Sequence, residues 1–200
     1  MELSHILGFN MALFAALISP GPALLVSVQT SLMSGRIAGI SAGVGLAFVA
    51  SIWTLCALLG LEVVFAIFPW AYVAVKVVGA LYLIYVAIAM WRGANKPLRA
   101  DVKPAKRAFR HGMMINLLNP KSILFAAAVL VVIFPKNMGW TENAFVVLNH
   151  FVVEVVFYGT VAIGMSRARV RERYLSAKAY IDRASSLVLG ALGVRLLLSR

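Results

Sequence analysis

Residues 37–63 read IAGISAGVGLAFVASIWTLCALLGLEV, an apolar run with a single charged side chain, Glu62. As a helix it would extend about 40 Å at ~1.5 Å per residue, enough to cross a hydrocarbon core of about 30 Å. Backbone N–H and C=O groups in lipid must bond within their own segment, so such a run is expected to be helical. Five further apolar stretches flank it: Ile6–Thr30, Trp70–Trp91, Gly112–Phe134, Ala144–Met165 and Ala184–Leu198. The last is the shortest and contains Arg195. The expected fold is all-α: a polytopic membrane protein of about six transmembrane helices forming one transmembrane domain over residues 1–200.

Composition points the same way. The 200 residues are 62% hydrophobic and 13% charged, with a mean hydropathy of +0.91. A soluble domain is nearer half apolar and a quarter charged. Six spans of ~20 residues use about 120 positions, which leaves no room for a separate catalytic domain. The first apolar stretch follows Glu2 and His5, not a basic leader, so it is expected to be a span and not a cleaved signal. Cys56 is the only cysteine, which excludes an internal disulfide, a CxxC pair and a thiolate cluster. It reads as a small core hydrophobe.

The net charge of +12 is concentrated on alternate connections. Arg36 marks the first, seven basic residues from Arg92 to Arg110 the third, and six from Arg167 to Arg183 the fifth. Lys136 is the one basic residue in the even-numbered connections. Loops of about 34–36, 93–111 and 166–183 are therefore expected in the cytoplasm, with both termini outside. The same charges favour anionic lipid headgroups. They carry no aromatic interleaving, so no nucleic-acid partner is expected. Trp70, Trp91 and Trp140 sit near predicted span ends, as interfacial aromatics do, while Trp53 falls inside the second span.

Two short stretches resemble each other. Ser19-Pro20-Gly21-Pro22 in the first span matches Asn119-Pro120-Lys121-Ser122 in the fourth: a polar residue, a proline, then an apolar run. Each opens a set of three spans. An odd number per half inserts the halves in opposite orientations, the pattern of an inverted repeat. The halves would cover about 1–92 and 109–200, joined by a basic loop at 93–108. Proline lacks an N–H and clashes with the preceding turn, so Pro20 and Pro22 free carbonyls around residues 16–18. Such groups need protein or a wet cavity for solvation. Two matched breaks, flanked by Ser19, Asn116 and Asn119, suggest one shared substrate cavity.

Gly35, Gly39, Gly43, Ala47 and Ser51 recur every four residues. That stripe permits close helix packing within the protomer, with a homodimer face as the alternative. Ionisable side chains inside spans suggest function. Glu62 and Lys76 lie near span ends, where they can snorkel or pair. Lys121 is about nine residues into the fourth span, roughly 14 Å deep, and Glu154 about ten into the fifth. A structural ion pair is one reading. The functional one makes Lys121 the site for a substrate carboxylate and Glu154 the site for its ammonium and for a coupling proton. Proton and ammonium would then exclude each other, as antiport requires. His5, His111 and His150 are scattered without ligand spacing, so no metal and no cofactor is expected. No Walker loop, GxGxxG or nucleophile–base pair is present, so no enzyme activity is expected.

At these positions the chain resembles the LysE/RhtB family of amino-acid exporters. The matching motifs are Pro20-Gly21-Pro22 with Gly35-Arg36-Ile37-Ala38-Gly39 and Gly43; Lys76-Val77-Val78-Gly79-Ala80-Leu81-Tyr82-Leu83; and Phe109-Arg110-His111-Gly112 with Asn116-Leu117-Leu118-Asn119-Pro120-Lys121. They extend over nearly the whole chain. The resemblance implies two inverted three-helix halves and amino-acid efflux in exchange for protons. The chain departs from the family pattern at Ala87, where glycine is frequent, and at Glu154 with Phe157-Tyr158, where an aspartate followed by tryptophan is usual. The expectation is a bacterial inner-membrane exporter of a neutral or hydroxy amino acid of the leucine, threonine or homoserine type. Its substrate site would comprise Ser19, Pro20, Gly21, Pro22, Asn116, Asn119, Pro120, Lys121 and Glu154, and a homodimer remains open. The alternatives are a non-transport membrane scaffold or assembly subunit, or an exporter of another small solute.

Overall fold

The structure is a computed structural model that describes residues 1–18, 21–60, 67–95, 105–119, 121–123, 125–126, 133–135 and 138–198. Its helices are α1 (Leu3–Ile18), α2 (Pro22–Leu58), α3 (Pro69–Gly93), α4 (Ala105–Leu117), α5 (Trp140–Met165) and α6 (Ala168–Leu198). No strand occurs among the described residues. The chain is all-α, as its composition requires.

Large apolar side chains are exposed along the helices, around an interior that is apolar with polar residues among it. α5 buries Asn143, His150 and Glu154 and exposes Phe145, Leu148, Val152, Val156 and Ile163. α1 likewise exposes Leu3, Leu7, Met11, Phe14 and Ile18, one face at helical spacing. Water would not tolerate these faces; lipid does. Pro22–Leu58 and Trp140–Met165 are long and apolar enough to cross a membrane.

The first span is interrupted where the prolines predict. α1 ends at Ile18 and α2 begins at Pro22, which occupies the first helical turn, where its missing N–H costs nothing. α2 contains two arms, because Gly35 stands at φ 83° and ψ 176°. A side chain there would be strained, so glycine makes the turn. The chain reverses: a Cβ on Gly39 would collide with the Ser31 hydroxyl.

The small-residue stripe is used inside the protomer. Gly39 lies against Ala162, and Gly43 against Tyr158 of α5. α4 crosses α2 just as closely, since a Cβ on Gly45 would meet the Phe109 carbonyl and one on Gly112 the Ala42 carbonyl. Ser41 Oγ donates to the Ala105 carbonyl at 2.7 Å. α2, α4 and α5 thus form a central unit, while α3 packs against α6.

One expected loop is largely helical instead, and the described end of another is helical too. Residues 166–183 turn only around Ser166–Arg167, and α6 is continuous from Ala168. The segment is rich in Arg and Ala, both good helix formers, so its charge does not break the helix. Residues 105–111, expected in the third loop, belong to α4. At the α3 end, Lys178 Nζ donates to Asp182 Oδ2 at 2.6 Å and to the Gly93 and Ala94 carbonyls at 3.4 and 3.2 Å. A cation there satisfies carbonyls that have no partner within the helix. Arg183 sits over the Trp91 ring, 5.8 Å from its centre.

Candidate functional site

The break in the fourth span is built by Asn119. Its side-chain oxygen accepts the Lys121 N–H at 3.2 Å, and its carbonyl accepts from Ser122 and Ile123. Asparagine is a strong N-cap because it satisfies donors that a helix start leaves unpaired. Residues 121–123 and 125–126, which follow, are helical. Asn116, buried at the end of α4, donates to the Leu46 carbonyl at 2.6 Å. Its oxygen accepts from Asn119 at 3.3 Å and from the Ser122 hydroxyl.

The two breaks meet. Lys121 Nζ donates to the Ala16 carbonyl at 2.5 Å. In an uninterrupted helix that carbonyl would accept from residue 20, which is proline and has no N–H. Lys121 therefore supplies the donor that the first span lacks.

Both breaks line one cavity of about 40 Å³. Its walls include Leu13, Ala16 and Leu17 of α1, Gly21 at the first break, Asn119, Lys121, Ser122 and Phe125 at the second, and His150, Glu154 and Tyr158 of α5. Lys121 and Glu154 attract each other electrostatically across it. Glu154 Oε1 is 3.2 Å from His150 Nε2, and His150 Nδ1 is 2.5 Å from Thr54 Oγ1. Glu154 Oε2, also buried, has no hydrogen-bond partner among the described residues.

Gly21, Asn119, Lys121 and Glu154 thus come together at the cavity. Pro22 and Asn116 are buried but are not in its lining. Ser19, Pro20, Pro120, Glu62 and the side chain of Lys76 lie outside the described residues. Sequence reasoning passed over His150, Thr54 and Tyr158. The signal was the four-residue spacing of His150, Glu154 and Tyr158, which places all three on one face of α5.

Broken helices meeting around buried charges, on a scaffold whose outer faces suit lipid, define a membrane transporter. Residues 14–200 match the family of LysE type translocators, and the chain belongs to that family. It is 26% identical over 197 residues to the threonine efflux protein of Escherichia coli (strain K12), covering 95% of this chain and 96% of that one. It is 27% identical to the threonine efflux protein of Salmonella typhi, over 95% of this chain and 96% of the relative. It is 29% identical over 152 residues to the homoserine/homoserine lactone efflux protein of Salmonella typhimurium, covering 72% of this chain and 74% of that protein. No solved structure matches the chain significantly.

Proposed function

We propose that the chain exports a neutral amino acid, of the threonine, homoserine or leucine type, across the bacterial inner membrane in exchange for protons. The observation that carries this is the placement of Lys121 and Glu154 on one cavity where two helix breaks meet. A zwitterion needs one cation and one anion. Lys121 provides the first for its carboxylate, and Glu154 Oε2 the second for its ammonium. Among the described lining residues, Leu13, Leu17, Leu24 and Phe125 are apolar, and no further Lys, Arg, Asp or Glu stands there for a charged substrate side chain. The names of the relatives support the same substrate class.

A proton and an ammonium compete for one carboxylate, and that exclusion is the linkage antiport needs. The cavity holds about 40 Å³, room for roughly one to three water molecules. The conformation is therefore closed, and loading requires the walls to part. The segments would move at Gly21 and at Leu118–Asn119, where the helices are interrupted. The chain acts as a single transmembrane domain whose halves span about 1–92 and 109–200. The basic segments at 34–36, 93–111 and 166–183 face the cytoplasm and its anionic lipids.

The test is efflux from cells loaded with a panel of amino acids. Overexpression should speed loss of threonine-, homoserine- or leucine-type members and confer resistance to their toxic analogues. Unchanged efflux of every member would count against amino-acid export.

A further inference from the structure

His150 is deeply buried, 2% exposed, and both of its ring nitrogens are engaged. Nε2 faces Glu154 Oε1 at 3.2 Å and Nδ1 faces Thr54 Oγ1 at 2.5 Å. Phe9 and Phe125 pack on the ring edge-to-face, with centroids 5.5 and 6.1 Å away. The imidazole is therefore fixed in orientation between two aromatic rings, on the wall of the cavity. Nothing in the export of a zwitterion by Lys121 and Glu154 requires a histidine here.

We propose that His150 shares the coupling proton with Glu154, so that Thr54, His150 and Glu154 together form the proton-binding site. The proposal rests on the antiport reading above and deepens it. Without the proton, neutral His150 donates Nε2–H to the Glu154 carboxylate and accepts the Thr54 hydroxyl hydrogen at Nδ1. One added proton has two places to sit. On Nδ1 it makes an imidazolium that donates to both Glu154 and Thr54 Oγ1. Alternatively Glu154 is the protonated acid and donates to Nε2, while Nδ1–H donates to Thr54. Both arrangements keep every bond, because a hydroxyl can donate or accept. Thr54 is thus a positioning residue that accommodates either tautomer.

The division of the carboxylate explains the exclusion. His150 uses Oε1, and Oε2 is left for the substrate ammonium. An ammonium at Oε2 repels an imidazolium at Oε1, so the arriving substrate expels the proton without displacing His150. His150 lies four residues nearer the Trp140 end of α5, about 6 Å along the axis. On the expected topology that is the outer side, from which the driving proton comes. Among the described residues, the titratable groups sharing the cavity with His150 are Lys121, Glu154 and Tyr158. α2 contributes Thr54, which does not titrate, and α1 contributes Phe9 and Leu13. His5 of α1 stacks on Phe134, 6.4 Å away, and reaches the imidazole only through that ring and Phe9.

The test is nitrogen NMR of the full-length protein, labelled at histidine, in lipid nanodiscs. His5 and His111 are assigned by single substitution. The His150 nitrogen signals should respond to pH, and the response should differ in Glu154→Gln. Thr54→Val should change the Nδ1 signal more than the Nε2 signal. A His150 spectrum that ignores pH, or is the same in Glu154→Gln, overturns the proposal and leaves the imidazole as packing. In proteoliposomes, with L-threonine and L-leucine as probes, His150→Gln should lower proton-driven efflux by roughly a hundredfold, the low end for a positioned proton-transfer group. Substrate counterflow should fall far less, and equal losses would contradict the proposal. If wild-type protein moves neither probe, the export reading fails there, while the NMR titration still decides the role of His150.

Discussion

Lys121, on one side of the break in the fourth span, donates from Nζ to the carbonyl of Ala16, on one side of the break in the first, at 2.5 Å. One bond therefore ties together the two interruptions that distinguish this helical bundle from a plain one. The lysine has two functions: it completes the backbone of α1 and it places a positive charge on the cavity.

Replacing Lys121 with methionine keeps most of its length and removes the donor. The Ala16 carbonyl then loses its partner, and a buried carboxylate loses a nearby cation. An unsatisfied buried acceptor costs about 1–3 kcal/mol, so the variant should melt lower in detergent and export poorly. A melting temperature equal to that of wild type would show that the bond contributes nothing.

The α2–α4 crossing depends on glycine at two points. A Cβ at Gly112 would overlap the Ala42 carbonyl, and neither backbone can yield without separating the helices. Gly112→Ala should cost about 1–3 kcal/mol, as overpacking does. Gly159 has open space around its Cβ position. Gly159→Ala should be neutral or stabilise by about 0.5–1 kcal/mol, the helix-interior difference between the two residues. Comparison of thermal unfolding of the two variants is the check; equal melting would refute the packing argument.

Much of this was legible in residue chemistry alone. Pro20 lacks an N–H, so a free carbonyl near residue 16 follows without coordinates, and the structure supplies its donor. The partner of Glu154 Oε1 was missed because His150 was weighed against metal-ligand spacing and not against the face it shares with Glu154. The Asn116 amide is engaged by Leu46, Asn119 and Ser122, and the Leu46 contact is one that only the crossing of α4 over α2 could reveal. The helix from Ala168 was missed because charge was taken to mean loop, although the charged residues there favour helix.

Tyr174, on the basic part of α6, has its hydroxyl pushed up to about 12, by burial first and by the negative charge of Asp182 second. In the unfolded chain it ionises near its ordinary value of about 10. Between these values the folded state holds a proton that the unfolded state has lost, so stability should fall as pH rises through that window. Absorbance titration of wild type against Tyr174→Phe isolates the signal. Asp182→Asn should bring it only part of the way back, because burial persists. A full return would mean that the charge, not burial, is the main cause.

Topology can be read with reporter fusions. The charge asymmetry and the continuous α6 predict an external C-terminus, with residues near 100 cytoplasmic. Arg195 would reach the outer interface along its own aliphatic stem. Cytoplasmic reporter activity after Arg200, with the third connection also cytoplasmic, would reduce the spans to five.

The most direct measurement of the central claim is efflux as a function of pH in Glu154→Gln, reconstituted beside wild type. Glutamine keeps the size of the side chain and cannot exchange a proton with the substrate ammonium. The account predicts that proton-driven efflux is lost and that any residual exchange no longer depends on pH. Efflux with wild-type pH dependence in that variant would contradict it, and would leave Glu154 a structural partner of His150 and Lys121.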